Sequence, residues 1–246
     1  MKTVVVIPAR YKSTRFPGKP LVPLLGKPMI LWVAELSAKA VGCDNVFIAT
    51  DDQRIIDVVV SAGFNAVVTS DSALTGTDRL GEAVEQIDAD IYINVQGDEP
   101  LVNPDDICRV WDEKLSNMAS VVNGYSWVSD AEDPKSVNIP KVITDEKNNM
   151  IYMSRSPLPG YKDEKNAPQR YKRQVCIYAF TKDELVRFRC FGRKGYLENC
   201  EDIEILRFLE LGVPVKMIET SPGTSAVDIP EDVAGVEAAL KKLHVL

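Results

Sequence analysis

Arg10, Lys12, Arg15 and Lys19 crowd into one short segment, VVVIPARYKSTRFPGKPL (4–21), with Pro8, Pro17, Gly18 and Pro20 shaping the backbone between them. Arginine offers a planar fork of donors and lysine a compact point charge, so together they suit a diphosphate or triphosphate. Residues 1–34 hold six cations and no acid, whereas the rest of the chain carries 23 cations against 36 acids. A cationic loop after a first apolar strand, in an otherwise acidic chain, points to a seat for a polyanionic small molecule. Neither GxGxxG nor GxxxxGK[ST] occurs, so the loop belongs to neither of the two commonest nucleotide motifs.

Two further loops carry carboxylates where a metal would want them. In Asn94-Val95-Gln96-Gly97-Asp98-Glu99-Pro100 the aspartate closely follows an apolar strand, with a glycine to permit the turn. Such a carboxylate suits Mg²⁺, which keeps most of its waters and takes one or two protein oxygens. In Val227-Asp228-Ile229-Pro230-Glu231-Asp232 the first aspartate is a second candidate ligand, while Glu231 and Asp232 suit the start of a helix. Each loop alone reads equally well as a solvated turn or a helix cap. Together they supply cations for phosphates and two carboxylates for a metal.

The elements that must position these loops alternate. Strand patterns over Val4–Pro8, Asn45–Ala49, Asn65–Thr69 and Asp90–Val95 are separated by helix patterns over Met29–Val41, Gln53–Ala62 and Asp78–Ile87, and Pro104–Leu115 follows. That rhythm predicts a mostly parallel sheet covered on both faces, with ligands beyond the carboxyl ends of its strands. After about Met118 the spacing changes. Ser120–Trp127, Lys141–Thr144, Met150–Ser154 and Gln174–Phe180 read as a mixed or antiparallel extension, and 156–173 as a charged, proline-bearing loop, a lid or a subunit contact. Glu201–Leu211 reads as one helix, Val213–Ile218 as a strand and Pro230–Leu243 as a last helix. The expectation is a single domain over 1–246 with an extension at about 120–200.

Composition narrows the chemistry. The net charge of −7 excludes the broad basic face that general nucleic-acid binding needs. No apolar run is long enough for a membrane span and no signal-peptide pattern opens the chain, so a cytoplasmic protein is expected. Five scattered cysteines without a CxxC pair fit reduced thiols, and the single histidine, His244, argues against a Ser-His-Asp triad or a histidine-rich metal site. Any catalysis has to run on carboxylates, cations and an oxygen-ligated metal.

The segments IPARYKSTRFPGKPL, LLGKPMI, ATDD, TGTDRL, INVQGDEPL, YMSRSPLP and VDIPEDV, in this order over nearly the whole chain, resemble the 3-deoxy-manno-octulosonate cytidylyltransferase family. The resemblance implies a Rossmann-like nucleotide-diphospho-sugar transferase fold and a Mg²⁺-dependent homodimer. The activity it implies joins CMP from CTP to an acidic sugar and releases pyrophosphate. Carried onto this sequence, Arg10 and Lys19 would contact the CTP phosphates with Ser13 assisting, and Pro8 and Ala9 would approach the cytosine. Thr75, Gly76 and Arg79 would close the nucleotide pocket, and Gln96 would lie between nucleotide and acceptor. Asp98 and Asp228 would ligate Mg²⁺, and Arg155 would lie near the acceptor.

Two positions depart from the family pattern. Gln174 stands where the family usually has a histidine, and Ile205 where it has a glutamine, both associated with the acceptor. Loss of a polar group can redirect specificity. The acceptor is therefore expected to be 3-deoxy-manno-octulosonate, another ulosonic acid, or a small phosphonate or phosphorylated acid. The expected step is in-line attack of an acceptor oxygen on the α-phosphorus, with Asp98 or water taking the proton. A transferase for another base, or a nucleotide-binding protein without catalysis, would share these loops.

Overall fold

The structure, a computed structural model, describes residues 1–13, 16–130, 132–222 and 226–244. Arg15 lies outside them, as does the side chain of His244. The chain runs β1 (Thr3–Ala9), β2 (Pro23–Leu24), β3 (Lys27–Pro28), α1 (Met29–Val41), β4 (Val46–Thr50), α2 (Gln53–Ser61), β5 (Asn65–Val68), α3 (Gly76–Ala83), β6 (Ile91–Val95) and α4 (Pro104–Ser116). It continues through β7 (Val121–Trp127), β8 (Lys141–Thr144), β9 (Met150–Ser154), β10 (Lys172–Thr181), α5 (Lys182–Cys190), α6 (Tyr196–Glu201), α7 (Leu206–Glu210), β11 (Val215–Glu219) and α8 (Asp232–His244).

Among the described residues nine strands form one sheet, with the path β11-β7-β10-β6-β1-β4-β5 and the β8–β9 hairpin attached to β10. Parallel pairing joins β1 to β4 and β6, β4 to β5, and β7 to β11, while β10 runs antiparallel to β6 and β7. Strand order reverses at β1: β4 and β5 lie on one side and β6 on the other. The cleft described below lies beyond the carboxyl ends of β1 and β6, at this reversal.

Alternation along β1 explains the two layers. Val5 and Ile7 face Ile30 and Val33 of α1, Ile55 and Val59 of α2 and Ile107 and Val110 of α4, while Val4 and Val6 face Leu80 of α3, Leu185 and Phe188 of α5 and Phe208 of α7. A strand buried on both faces reads as a continuous apolar run, as β1 does. A third apolar cluster does the positioning. Leu24, Met29, Trp32, Val227, Val236 and Leu240 are buried together, with Phe16 and Leu101 against them. Phe16 belongs to the first cationic loop, Leu101 to the loop after β6 and Val227 to the segment before α8. Their shared burial draws three sequence-distant loops to one place.

The sequence pattern and the structure differ at three helices, one of which, α5, follows β10 where no helix was expected and is started by a capping box of Thr181 and Glu184. Helix α3 begins at Gly76, not Asp78, because Thr75 caps it: the Thr75 hydroxyl accepts from the Asp78 N–H at 3.1 Å. The expected helix over Glu201–Leu211 is broken into α6 and α7 at Asp202, which has φ 51. The Arg155 guanidinium takes the carbonyls of Glu201 and Asp202, which a continuing helix would have used itself. Among the described residues, no helix is long and apolar enough to cross a membrane.

Away from the crevice, Lys114 at the end of α4 is fully buried and donates to both Glu184 oxygens at 2.9 and 2.7 Å and to the Ser120 carbonyl at 2.6 Å. Replacing Lys114 with methionine strands the Glu184 charge and is expected to cost about 3–5 kcal/mol. Urea denaturation reads it, and a loss under about 1 kcal/mol would show the pair to be dispensable.

Candidate active site

The crevice beyond β1 and β6 is a cleft of about 370 Å³. The first loop supplies one wall: Pro8 and Ala9 at the end of β1, then Arg10, Ser13 and Lys19. Two glycines make this geometry possible. Gly18 has φ 72 and its N–H donates to the Tyr11 carbonyl at 2.9 Å, closing the loop so that Lys19 turns inward. At Gly97 a Cβ would stand 2.8 Å from the Pro8 carbonyl oxygen, so only glycine lets the loop after β6 lie this close to β1. Tyr11 is braced from outside by the Arg54 guanidinium, 3.3 Å from its ring centroid. Arg54 in turn forks onto Asp52, and this hydrogen bond holds the Asp52 carboxyl below its ordinary range.

Asp98 and Asp228 meet on the cleft although they are far apart in the chain. The Val227 N–H donates to the Asp98 carbonyl at 3.0 Å, and the N–H groups of Asp228 and Ile229 donate to Asp232 at 2.8 and 3.0 Å. The Lys19 ammonium donates to Asp98 Oδ2 at 2.6 Å and stands 3.7 Å from Asp228 Oδ1. It thus offsets two carboxylates at once. Among the described residues no group of three or more His, Cys, Asp or Glu is arranged to hold a metal. Two carboxylates are nonetheless what a Mg²⁺ ion shared with nucleotide phosphates asks of a protein.

Thr75, Gly76 and Arg79 line the side of the cleft next to Pro8 and Gln96. Arg79 is buried; its guanidinium donates to Thr69 and stands 3.3 Å from Asp51, and burial holds its pKa below the ordinary value against the pull of Asp51. The start of α3 is fastened from across the cleft. Glu204 accepts from the Gly76 N–H at 3.3 Å, the Thr77 N–H at 2.8 Å and the Thr77 hydroxyl at 2.6 Å, a carboxylate placed on a helix N-terminus. Fully buried Arg207 then ties Asp78 of α3, at 2.7 and 3.0 Å, to Glu198 of α6, at 2.6 and 2.7 Å. Burial opposes its charge, but the bonds from Glu198 and Asp78 outweigh it and raise its pKa.

Pro8, Ala9, Arg10, Ser13, Lys19, Thr75, Gly76, Arg79, Gln96, Asp98 and Asp228 thus share one cleft. Three residues expected near the acceptor are not among those lining it. The Arg155 guanidinium is spent on the carbonyls of Glu201, Val137 and Asp202. Gln174 is buried, its amide donating to Asn123 and the Tyr178 hydroxyl, each at 3.1 Å. Ile205 is 1% exposed in the apolar layer with Phe208, because the break at Asp202 turns it toward the sheet. Lys194, Asp202 and Glu204 do line the cleft, and no local pattern marked them.

The nearby thiol and phenol are poor bases. Burial, with Glu99 adding to it, pushes the Cys176 thiol up to about 12, and burial with Cys176 beside it pushes Tyr178 well above its ordinary value.

An α/β sheet with cations and paired carboxylates around the crevice at its strand-order reversal defines a nucleotide-dependent transferase. Residues 4–218 match the family described as Cytidylyltransferase. The chain belongs to this family. It is 40% identical over 260 residues to the 3-deoxy-manno-octulosonate cytidylyltransferase of Geobacter metallireducens, covering 100% of both chains. It is 39% identical to the 8-amino-3,8-dideoxy-manno-octulosonate cytidylyltransferase of Shewanella frigidimarina, over 98% of this chain and 99% of that one. A solved CMP:2-keto-3-deoxy-manno-octonic acid synthetase complexed with CTP superposes with a TM-score of 0.91 at 35% identity, over 99% of this chain and 100% of that one.

Because alkylation needs the thiolate, a raised pKa keeps Cys176 inert. At about pH 8, iodoacetamide is expected to label the exposed Cys43, Cys190 and Cys200 and to leave Cys176 unmodified by mass spectrometry. Equal labelling of Cys176 would show its thiol to be open to solvent.

Proposed function

We propose that this protein transfers CMP from CTP to the anomeric hydroxyl of an acidic 3-deoxy-octulosonate sugar and releases pyrophosphate. The observation that carries this reading is the cleft in which Arg10 and Lys19 stand with Asp98 and Asp228, in a chain of the cytidylyltransferase family. The relatives' substrate supplies the acceptor class.

In this reading the triphosphate lies along Arg10, Ser13 and Lys19, and the base sits between Pro8, Ala9 and the Thr75–Gly76 turn, with Arg79 and Gln96 beside it. Asp98 and Asp228 would hold Mg²⁺. When bound, that ion offsets phosphate charge and lowers the pKa of a hydroxyl it coordinates. The acceptor oxygen attacks the α-phosphorus as the bond to pyrophosphate breaks, and no covalent enzyme intermediate is needed. Arg10 and Lys19 offset the charge that develops on the leaving group. The attacking hydroxyl's proton passes to Asp98 or to water; Cys176 and Tyr178 are held protonated at neutral pH by the burial described above. Most of the acceleration then comes from positioning and electrostatics. We take the assembly to be a homodimer, supported by exposed Val137 and Ile151 on the extension.

Pyrophosphate release is expected with CTP, and not with ATP, GTP or UTP, when 3-deoxy-manno-octulosonate or its 8-amino-8-deoxy analogue is the acceptor. Turnover with UTP equal to that with CTP would overturn the base assignment. Asp98→Asn is expected to lower kcat by on the order of a hundredfold or more. Near-normal turnover at saturating Mg²⁺ would sink the metal assignment. Because the Lys19 ammonium occupies the carboxylates, Lys19→Met is expected to bind Mn²⁺ about tenfold more tightly without nucleotide, read by electron paramagnetic resonance.

A further inference from the structure

We propose that Lys194 is the acceptor-side cation of this cleft, receiving the carboxylate of the acidic sugar, and that Arg155 acts on it only as a positioning residue through Asp202. The proposal rests on the cytidylyltransferase reading above.

Among the described residues lining the cleft, four are cationic: Arg10, Lys19, Arg79 and Lys194. The first three belong to the nucleotide side. Lys19 lies on Asp98 and Asp228, Arg79 is buried against Thr69 and Asp51, and Arg10 follows β1 close enough to repel Arg79. Lys194 comes from the facing wall, whose other charged groups are Glu198, Asp202 and Glu204. Glu198 is neutralised by buried Arg207 and Glu204 by the N-terminus of α3. Among the described residues of this wall, Lys194 supplies the one ammonium and Asp202 the carboxylate it offsets. Without that ammonium Asp202 would repel an entering carboxylate.

The geometry around Lys194 is built rather than loose. Its ammonium donates to Asp202 Oδ1 at 3.0 Å, with the two side chains 33% and 76% exposed. An exposed pair of this kind is weakly held, so the ammonium can be handed to an incoming carboxylate. Asp202 keeps a left-handed backbone, which non-glycine residues adopt at a cost and which clusters at functional sites. Arg155 holds it there by donating to the carbonyls of Glu201 and Asp202, while Glu201 accepts from the Arg155 N–H at 2.9 Å and from the Ser154 hydroxyl at 2.6 Å. On the other side of Lys194, a Cβ at Gly195 would stand 1.9 Å from Glu210, and the Tyr196 N–H donates to Glu210 at 2.7 Å. The backbone on either side of the pair is thus fixed, at Gly195 and at Asp202, while the Lys194 ammonium stays exchangeable.

Steady-state kinetics with CTP and 3-deoxy-manno-octulosonate test this. Lys194→Met is expected to raise the acceptor KM by about tenfold or more while the CTP KM stays within about twofold, and Lys194→Arg to recover most of the loss. With the C1 carboxamide of the sugar, wild type and Lys194→Met are expected to have the same acceptor KM. Arg155→Met, checked for folding by circular dichroism, is expected to raise the acceptor KM alone and to add nothing to Lys194→Met. An unchanged acceptor KM in Lys194→Met, or a parallel rise in the CTP KM, would overturn the role of Lys194. Additive losses with Arg155→Met would overturn the positioning role. Wild type that releases no pyrophosphate from CTP with this acceptor would instead sink the reading of function, and the proposal with it.

Discussion

Two carboxylates on one cleft repel each other, and the Lys19 ammonium between Asp98 and Asp228 is what makes their meeting tolerable before any substrate arrives. Much of the surrounding architecture serves that three-way contact. Gly97 lets the loop carrying Asp98 close on β1, Gly18 turns Lys19 inward, and Val227, buried with Leu24, Met29 and Trp32, delivers Asp228. The contact is electrostatic, but its geometry is set by apolar burial. Phe16, Leu101 and Val227 each anchor one of the loops in the cluster that α8 covers with Val236 and Leu240. The last helix is thus part of the site's foundation although, among the described residues, it gives the cleft no side chain.

The facing wall follows a different plan. Its arginines support the site without offering themselves to ligands: Arg207 has its guanidinium between Asp78 and Glu198, and Arg155 on backbone carbonyls. A guanidinium suits this work because its fork satisfies several acceptors at fixed angles and stays charged when buried. Glu204 completes the bracing by seating its carboxylate on the start of α3. The nucleotide side and the segment 194–210 are therefore fixed to one another through α3, and a change in either is felt by the other.

That the loops after β1 and β6 meet on one cleft was legible in the sequence because their signals are local. A buried strand followed at once by prolines, glycine and cations announces a strand that ends in a cationic loop, and the helix over Met29–Val41 has the bounds that its apolar spacing predicts. The places of Arg155, Gln174 and Ile205 were not legible in the same way. Arg155, Gln174 and Ile205 look like ligand contacts on a linear comparison, yet a guanidinium spent on carbonyls, an amide bonded to Asn123 and Tyr178, and an isoleucine in the apolar layer are fates decided by tertiary partners. Helical periodicity over 201–211 gave no sign that Arg155, dozens of positions earlier, would take the carbonyls on which a continuous helix depends.

That asymmetry follows from what each half has to recognise. A triphosphate is the same in every such reaction, and phosphate recognition by a strand-to-helix loop can be written into one contiguous segment. In the reading proposed above, the acceptor faces a wall assembled from Lys194, Glu198, the bend at Asp202 and Glu204, and these are held by groups that do not line the cleft. Gln174 is bonded to Asn123 and Tyr178 and Ile205 lies in the apolar layer, so neither leaves an unpaired group in the cleft. A cleft so arranged can keep its nucleotide chemistry fixed while its acceptor wall changes, and the exposed Lys194–Asp202 pair is the part of that wall least committed to the fold.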